Sequence, residues 1–363
     1  MKAEVIYSYF YDFSDEIDLK DVKNYFRGAE EFSFYEYGKA VPEGLNPFEL
    51  PIVVNAGKKE VKFDNIDLSV NIQCVIYSVG AMAVRVRSPI ENLNTALLEK
   101  ITFDKRFENR FKELADDTKV RVEKTLSKHI HIKEKGVFEM YRSYFLEQCA
   151  NSFVDKNKGF IAGILLDEQN YKELSNEYVA NTIKRSLSYY NCDSVIVDWD
   201  AMFLISNTTN YENEIMVADT ANIQLLEYRV YQNEVNKMID AVNNRFLKMK
   251  RNLIYTVFTR SSMIKLSKEI SDFYAEYKDL VEGINQIIMS FGEWYLARLY
   301  SLLSDAFRLT DLAKRLETTF DMLVNIRSFI QSHVSEDTNS FLEWVVILLF
   351  VVEIVLIIIP FYK

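Results

Sequence analysis

The spacing of hydrophobic residues divides the chain into an N-terminal part of mixed strands and helices and a C-terminal part of helices. Residues 4–13 are β-branched and aromatic, which is typical of a strand, and residues 15–26 have near-helical apolar spacing. Residues 71–90 predict two strands joined around Gly80. Helical spacing returns between residues 93 and 126.

The second stretch of the N-terminal part continues the same mixture. Residues 135–150 predict a strand, and Ser175 is placed to cap a following amphipathic helix. Residues 194–205, "SVIVDWDAMFLI", form the clearest predicted strand in the chain. We therefore predict a compact α+β domain over residues 1–213.

Residues 214–338 predict a helical hairpin or three-helix bundle with coiled-coil character. Gly283 and Gly292 are the only glycines in this region, and it has no proline. We expect breaks near residues 259–261 and near Gly292. Apolar residues alternate at three and four positions, as in packed antiparallel helices. They are Tyr228, Tyr231, Val235, Met238, Val242, Ile270, Phe273, Tyr277, Leu280, Ile284, Ile287, Phe291, Trp294, Leu309, Leu316, Phe320, Leu323 and Ile330. The seams pack within one chain or also between protomers.

The most apolar stretch of the sequence, residues 341–360, predicts one transmembrane helix. A helix over 341–359 is about 28 Å long, close to the ~30 Å hydrocarbon core of a bilayer. Trp344 and Tyr362 lie at the two interfaces, and Pro360 ends the helix. The alternative is a buried core helix, because apolar runs near the length threshold can be soluble. Apolar residues on every face and the position at the chain terminus weigh against it.

Because the N-terminus lacks the pattern of a signal peptide, we expect a tail-anchored, single-pass topology with the N-terminal domain in the cytoplasm. Glu353 then lies near the middle of the bilayer, where a charged carboxylate is costly. It is expected to be neutral or to face a partner span. A packing role, as a neutral acid hydrogen-bonded to a neighbouring span, is favoured over a site for oligomer contacts or ion passage.

Composition adds two expectations. The formal net charge of −10 argues against nucleic-acid binding by the whole chain, and no specific DNA binding is expected. The cysteines, Cys74, Cys149 and Cys192, are widely spaced and odd in number. We therefore predict reduced thiols in a cytoplasmic compartment, and no structural zinc site.

Asp198 and Asp200 are the candidate metal ligands. On a strand, two residues with this spacing point to one face, where their carboxylates could bind Mg²⁺ or act as an acid and base. The alternative is a solvated or helix-capping face of the sheet. No nucleotide-binding glycine loop or nucleophile elbow is present in the sequence. Apart from this Mg²⁺ candidate, no cofactor is predicted.

A run of positive charges without an intervening acid is the candidate contact for an anionic partner. It surrounds the expected tip of the helical hairpin and suits RNA phosphates or an anionic lipid surface. The alternative is a solvated helix face. The residues are Arg245, Lys248, Lys250, Arg251, Arg260, Lys265 and Lys268.

Five segments in order carry a family resemblance: "IAGILLDEQNYKELSNEY", "SLSYYNCDSVIVDWDAMFLI", "QLLEYRVYQNEV", "GEWYLARLYSLLSDAFRL" and "FLEWVVILLFVVEIVLI". Together they resemble the family named for "required for meiotic nuclear division", in its prokaryotic, uncharacterised branch. The resemblance implies tethers or scaffolds, since eukaryotic members include mitochondrial inner-membrane proteins that associate with the translation machinery. It supplies no catalytic residues.

The hypothesis from sequence is a non-enzymatic, tail-anchored membrane scaffold. It self-associates through its helices and span, and it presents the α+β domain and the basic tip to an anionic partner, such as a protein or a ribonucleoprotein. The first alternative is a metal-dependent enzyme that uses Asp198 and Asp200. The second is a channel-like oligomer with Glu353 in the pore.

Overall fold

In a computed structural model, the protein is an α+β molecule with an N-terminal sheet and C-terminal helices. The structure describes residues 2–26, 32–35, 51–133, 137–148, 150–207, 210–249, 256–289, 294–328 and 332.

The described residues form nine strands and nine α-helices. The strands are β1 (Ala3–Asp12), β2 (Ser33–Tyr35), β3 (Ile52–Phe63), β4 (Ile66–Ile76), β5 (Ala81–Ile90), β6 (Phe138–Glu147), β7 (Ser186–Leu187), β8 (Ser194–Val197) and β9 (Ala201–Ser206). The helices are α1 (Leu19–Phe26), α2 (Thr95–Phe103), α3 (Lys105–Leu126), α4 (Ala150–Leu166), α5 (Asn176–Lys184), α6 (Glu212–Met249), α7 (Thr256–Met289), α8 (Trp294–Ala306) and α9 (309–328).

The strands form one sheet in the order β2-β3-β4-β5-β1-β6-β9-β8-β7. Strand β1 lies in the middle and pairs antiparallel with both β5 and β6. Among the described strands only β6 and β9 pair in parallel. Such a pair requires a crossover, which α4 and α5 provide between β6 and β9.

The two faces of β1 carry different chemistry. Tyr7, Tyr9 and Tyr11 alternate along one face. Their hydroxyls donate to the carbonyls of Ile101 and Glu108 and to the carboxylate of Asp116, respectively. These bonds fix α2 and α3 on that side of the sheet. The opposite face carries Glu4, Ser8 and Asp12, all buried.

The first half of α6 is buried around its whole circumference, over residues 215–228. It carries acids opposite the charged face of the sheet, and Gln224 accepts a hydrogen bond from Tyr300 of α8. Leu296, Leu299 and Leu303 make α8 amphipathic. The helix is thus a central element rather than a surface one.

Contacts divide the chain into two compact units, one of residues 1–230 with 280–313 and one of residues 231–279 with 314–363. In the second unit, Tyr231 of α6 packs on Phe273 and Tyr277 of α7, and Phe320 of α9 packs on the same two rings. This unit is therefore a three-helix arrangement in its described part.

Most predicted seam positions that the structure describes are buried, including Val235, Val242, Ile270, Leu316 and Leu323. The prediction is wrong for Trp294, which is 63% exposed. Trp294 is the first residue of α8, and residues 290–293, which include the predicted break at Gly292, lie outside the described residues.

Two further expectations are corrected. The break near residues 259–261 is wrong, because α7 begins at Thr256 and continues through this segment; serine and threonine there do not interrupt a helix that packs elsewhere along its length. The expectation of three reduced thiols is wrong for Cys192, which is disulfide-bonded, whereas Cys74 is a free, buried thiol.

In the part of the chain that the structure describes, no helix combines the length and apolarity needed to cross a bilayer. The predicted span at residues 341–360, with Glu353, lies outside the described residues.

Candidate functional sites

Asp198 and Asp200 lie in a tight turn and not on a strand. Strand β8 ends at Val197 and β9 begins at Ala201, and the two pair antiparallel. The Asp198 N–H donates to the Ala201 carbonyl at 2.8 Å, and Asp198 Oδ1 accepts the Trp199 N–H at 2.7 Å. The single strand predicted over 194–205 is therefore a hairpin. An aspartate carboxylate that bonds the local backbone favours such turns.

An arginine beside this turn holds the Asp198 carboxylate in place. Asp198 Oδ1 also accepts Arg185 Nη1 at 2.9 Å. Desolvation raises the pKa of Asp200, with Arg142 acting in the opposite direction and Asp198 adding to the rise. Among the described residues, no group of three or more histidines, cysteines or acids is placed to hold a metal ion. Mg²⁺ binding at the two aspartates stays a prediction.

The basic residues flank the connection from α6 to α7. Arg245 and Lys248 belong to the last turns of α6, and Arg260 to the first turns of α7. Lys265 and Lys268 follow on α7, and both are exposed. Lys250 and Arg251 lie outside the described residues.

The directions of α6, α7 and α9 in the second unit show which of these basic residues lie at the same end of the unit as the C-terminal end of α9. Helix α6 enters the second unit at Tyr231, α7 leaves it at Asp279, and α9 enters it at Lys314. Helices α6 and α9 therefore run through the unit in one direction and α7 in the other. Residue 328 is eight residues beyond Phe320, and Lys265 is eight residues before Phe273, so each is about 12 Å from that contact. The end of the described α9 is thus level with Lys265.

A layer of buried ion pairs joins α6 to the sheet. Arg87 donates from Nε and Nη2 to the Glu4 carboxylate at 3.1 and 2.8 Å, and its Nη1 lies 2.6 Å from Glu212. Arg85 Nε donates to Asp219 at 2.7 Å. Paired and hydrogen-bonded, these groups fix the register of the helix on the sheet, and breaking such a pair costs about 3–5 kcal/mol.

A cleft of about 630 Å³ opens above part of this layer. Arg87 at the base of the cleft is paired with the Glu4 carboxylate. It also donates to Gln73 Oε1 at 3.1 Å, and the Gln73 amide donates to Asn55 Oδ1. The four polar residues Glu4, Arg87, Gln73 and Asn55 therefore bind one another, which indicates a structural role for them.

A second buried acid lies further along the same interface. Glu227 of α6 is fully buried, and burial with the nearby Asp12 carboxylate raises its pKa to about 8, while Lys133 opposes the rise. Lys133 Nζ lies 2.7 Å from Asp12 Oδ1. Glu227 Oε1 has no hydrogen-bond partner among the described residues.

A different cleft, of about 490 Å³, was not predicted from the sequence. It combines four aromatic side chains with two carboxylates, and we call it the aromatic cleft. Its aromatic and acidic residues are Tyr189, Tyr190, Asp193, Glu214, Trp294 and Tyr295. In the sequence, the cleft could have been predicted only from two short segments rich in aromatic residues, "SYYNCD" and "EWYL". They are about a hundred residues apart, and only the fold brings them together.

Comparison with known proteins finds a family match for the part of the chain that contains the sheet. Residues 2–212 match the sequence profile of the family described as "Uncharacterized protein MJ0711, N-terminal domain". The chain belongs to the MJ0711 family. Its match to the uncharacterised protein MJ0711 of Methanocaldococcus jannaschii is 25% identical over 223 residues. It covers 60% of this chain and 65% of that protein, which is just under two thirds of its length. No solved structure matches the chain.

The MJ0711 match ends where α6 begins, so it contains Asp198, Asp200 and eight of the eleven residues that line the aromatic cleft. The basic run, the predicted span and Trp294 lie beyond it. The matches support an uncharacterised prokaryotic family, and neither name states an activity. The link to the "required for meiotic nuclear division" family rests on the sequence motifs alone.

Proposed function

We propose that this protein is a non-enzymatic membrane tether, anchored by residues 341–360, whose basic helical end lies against anionic lipid headgroups. The α+β domain is then presented on the cytoplasmic side. The observation that carries the proposal is the direction of α9, whose described end lies level with Lys265.

The first step of the argument concerns position. Because α9 runs toward the same end of the second unit as Lys265 and Lys268, the chain that leads to the predicted span starts at that end. An anchor attached there brings the basic residues of α7 close to the bilayer surface. The opposite end of the described α9 carries Lys314 and Arg315. Because this end points away from the proposed membrane contact, Lys314 is a control for the experiment below.

The second step concerns charge. The whole chain carries a formal charge of −10, so an anionic surface repels most of it. A lysine or arginine near an anionic leaflet contributes about 1 kcal/mol of attraction. The run from Arg245 to Lys268 therefore orients the protein with its helical end toward the membrane.

Self-association belongs to the same proposal. The second unit exposes Ile264 and Met322, at 51% and 55%, and apolar positions on helices are available to a second copy. Glu353 in the predicted span is best accommodated against a partner span. We propose a homo-oligomer joined through these helices.

Two further considerations bear on this choice. The resemblance to the "required for meiotic nuclear division" family supports a tether, since membrane attachment is what that resemblance implies. The enzyme alternative draws less support, because Asp198 Oδ1 already accepts from Arg185 and from the Trp199 backbone. The channel alternative rests on Glu353 alone.

Lysine footprinting of the full chain in nanodiscs tests the proposal. Acylation of Lys265 and Lys268 should be about fivefold slower in anionic than in neutral nanodiscs, which corresponds to about 1 kcal/mol of surface attraction. Lys314 should react equally in both, and high salt should abolish the difference.

Equal acylation rates for all three lysines in both lipids would overturn the lipid contact. If Lys265 and Lys268 become protected only when RNA is added, the basic end contacts a ribonucleoprotein instead. If the full chain does not enter nanodiscs, the anchor is wrong.

A further inference from the structure

We propose that the aromatic cleft binds a small organic cation, of the quaternary-ammonium or alkylated-amine class. This assignment does not depend on the membrane tether. It rests on the shape of the aromatic walls, on the sign of the charge around them and on the size of the space.

The walls of the cleft are rings set at steep angles to one another. Tyr189 and Tyr190 have centroids 4.7 Å apart with planes at 88°, and Tyr189 and Tyr295 are 5.5 Å apart at 68°. Trp294 completes the set. Rings that meet at such angles turn several faces toward one volume, and the negative face of an aromatic ring attracts a cation.

The charge of the lining is negative. Among the described residues that line the cleft, Asp193 and Glu214 are the charged ones, and none is a lysine or arginine. Asp193 Oδ1 accepts the backbone N–H groups of Tyr189 and Tyr190 at 2.7 and 2.9 Å, which fixes the carboxylate beside the rings. Both acids also act on Tyr295, whose pKa is raised by burial and then by Glu214 and Asp193.

A cation already lies against one of these rings from outside. The Arg298 guanidinium is 4.7 Å from the centroid of Trp294, although Arg298 does not line the cleft. This contact shows that the Trp294 ring is placed to attract a positive charge. Two faces of one ring can each contact a cation.

The floor and the volume limit the ligand. Val195, Leu204 and Ile205, from the ends of β8 and β9, form an apolar floor, and the volume of about 490 Å³ lies in the range of small-molecule sites. Tyr189, Tyr190 and Trp294 are 57%, 69% and 63% exposed, so the entrance is open. An alkylated cation can place its alkyl groups on the apolar floor and its positive charge near the ring faces and the carboxylates. An anion or a strongly hydrated metal ion cannot make both contacts.

Calorimetry on the full chain in detergent tests the assignment with two probes of nearly equal shape. Choline carries the charge, and 3,3-dimethylbutan-1-ol is its neutral carbon analogue. We expect choline to bind at least about tenfold more tightly than the neutral analogue, and added salt to weaken its binding.

Variants connect the binding to the cleft. Trp294→Ala and Glu214→Gln should each weaken choline binding about three- to thirtyfold. Tyr190→Ala should weaken choline binding as well, and because this ring is more exposed, the substitution should not affect folding. Tyr178→Ala is the matched control, because Tyr178 is 54% exposed and does not line the cleft.

A second ligand distinguishes a free cation from a side chain of another protein. If Nα-acetyl-trimethyllysine amide binds more tightly than choline, the physiological ligand is an alkylated lysine. If choline is tighter, it is a free small molecule. Equal affinity for choline and its neutral analogue, or choline binding that survives both Trp294→Ala and Tyr190→Ala, would overturn the proposal.

Discussion

At the scale of single residues, Glu227 has the most consequential environment. Its carboxyl is buried against Asp12, and its pKa is raised to about 8. An unfolded glutamate has a pKa of about 4.3, so the folded protein holds a proton that the unfolded chain releases. The stability that this proton provides is complete below about pH 4 and is lost as the pH rises to about 8.

Glu227→Gln should remove this pH dependence. The amide imitates the protonated acid, so we expect wild type and variant to be similar near pH 4.5 and the variant to be more stable at pH 9. Thermal unfolding of the full chain between pH 4.5 and 9 measures the difference.

Glu234→Gln, an exposed acid on the same helix, is the control and should follow wild type throughout. A constant difference between Glu227→Gln and wild type over the whole pH range would contradict the assignment of the buried proton.

At the scale of elements, the turn between β4 and β5 depends on Gly80. Its φ of +81° favours glycine, and an added Cβ would lie 2.2 Å from the Ser14 carbonyl oxygen. The Gly80 carbonyl also accepts the N–H groups of Phe13 and Ser14, both at 3.1 Å. The turn therefore joins the end of β1 to the hairpin beside it.

Gly80→Ala should destabilise the protein by more than about 2 kcal/mol, from backbone strain and the clash of the new Cβ with the Ser14 backbone carbonyl. Gly159→Ala is the matched control: Gly159 lies in α4 with nothing within 4 Å of the added Cβ, so alanine should be neutral or stabilising by up to about 1 kcal/mol. Urea unfolding measures both. If the two variants lose equal stability, the close approach at Gly80 is not the cause.

The elements that local patterns predict are those whose signal lies within one continuous segment of the chain. The strands of 4–13 and 71–90 and the Ser175 cap are confirmed, since Ser175 Oγ accepts the Tyr178 N–H. The hairpin of β8 and β9 was missed because apolar residues continue on both sides of a three-residue turn. The aromatic cleft was missed because its walls come from distant parts of the chain, and the Asp12–Glu227 pair for the same reason.

At the scale of the whole molecule, the proposed attachment to a membrane depends on the C-terminal segment, residues 341–360. The full chain should resist extraction from membranes by alkaline carbonate, and a version ending at Asn339 should be extracted, because a span of about twenty apolar residues is an integral anchor. Fractionation of cells that express each version provides the measurement. Extraction of both versions would show that residues 341–360 do not span the bilayer.

The central position of β1 has a consequence for synthesis. Its neighbours in the sheet are β5, residues 81–90, and β6, residues 138–147, so β1 leaves the ribosome long before its second partner. At roughly 5–20 residues per second, β1 waits about 7–27 seconds for β6. During that interval a strand with tyrosines on one side and paired charges on the other has an open edge. Nascent chains whose β6 has not yet left the ribosome should therefore be clients of ribosome-associated chaperones, and chains whose β6 has emerged should not.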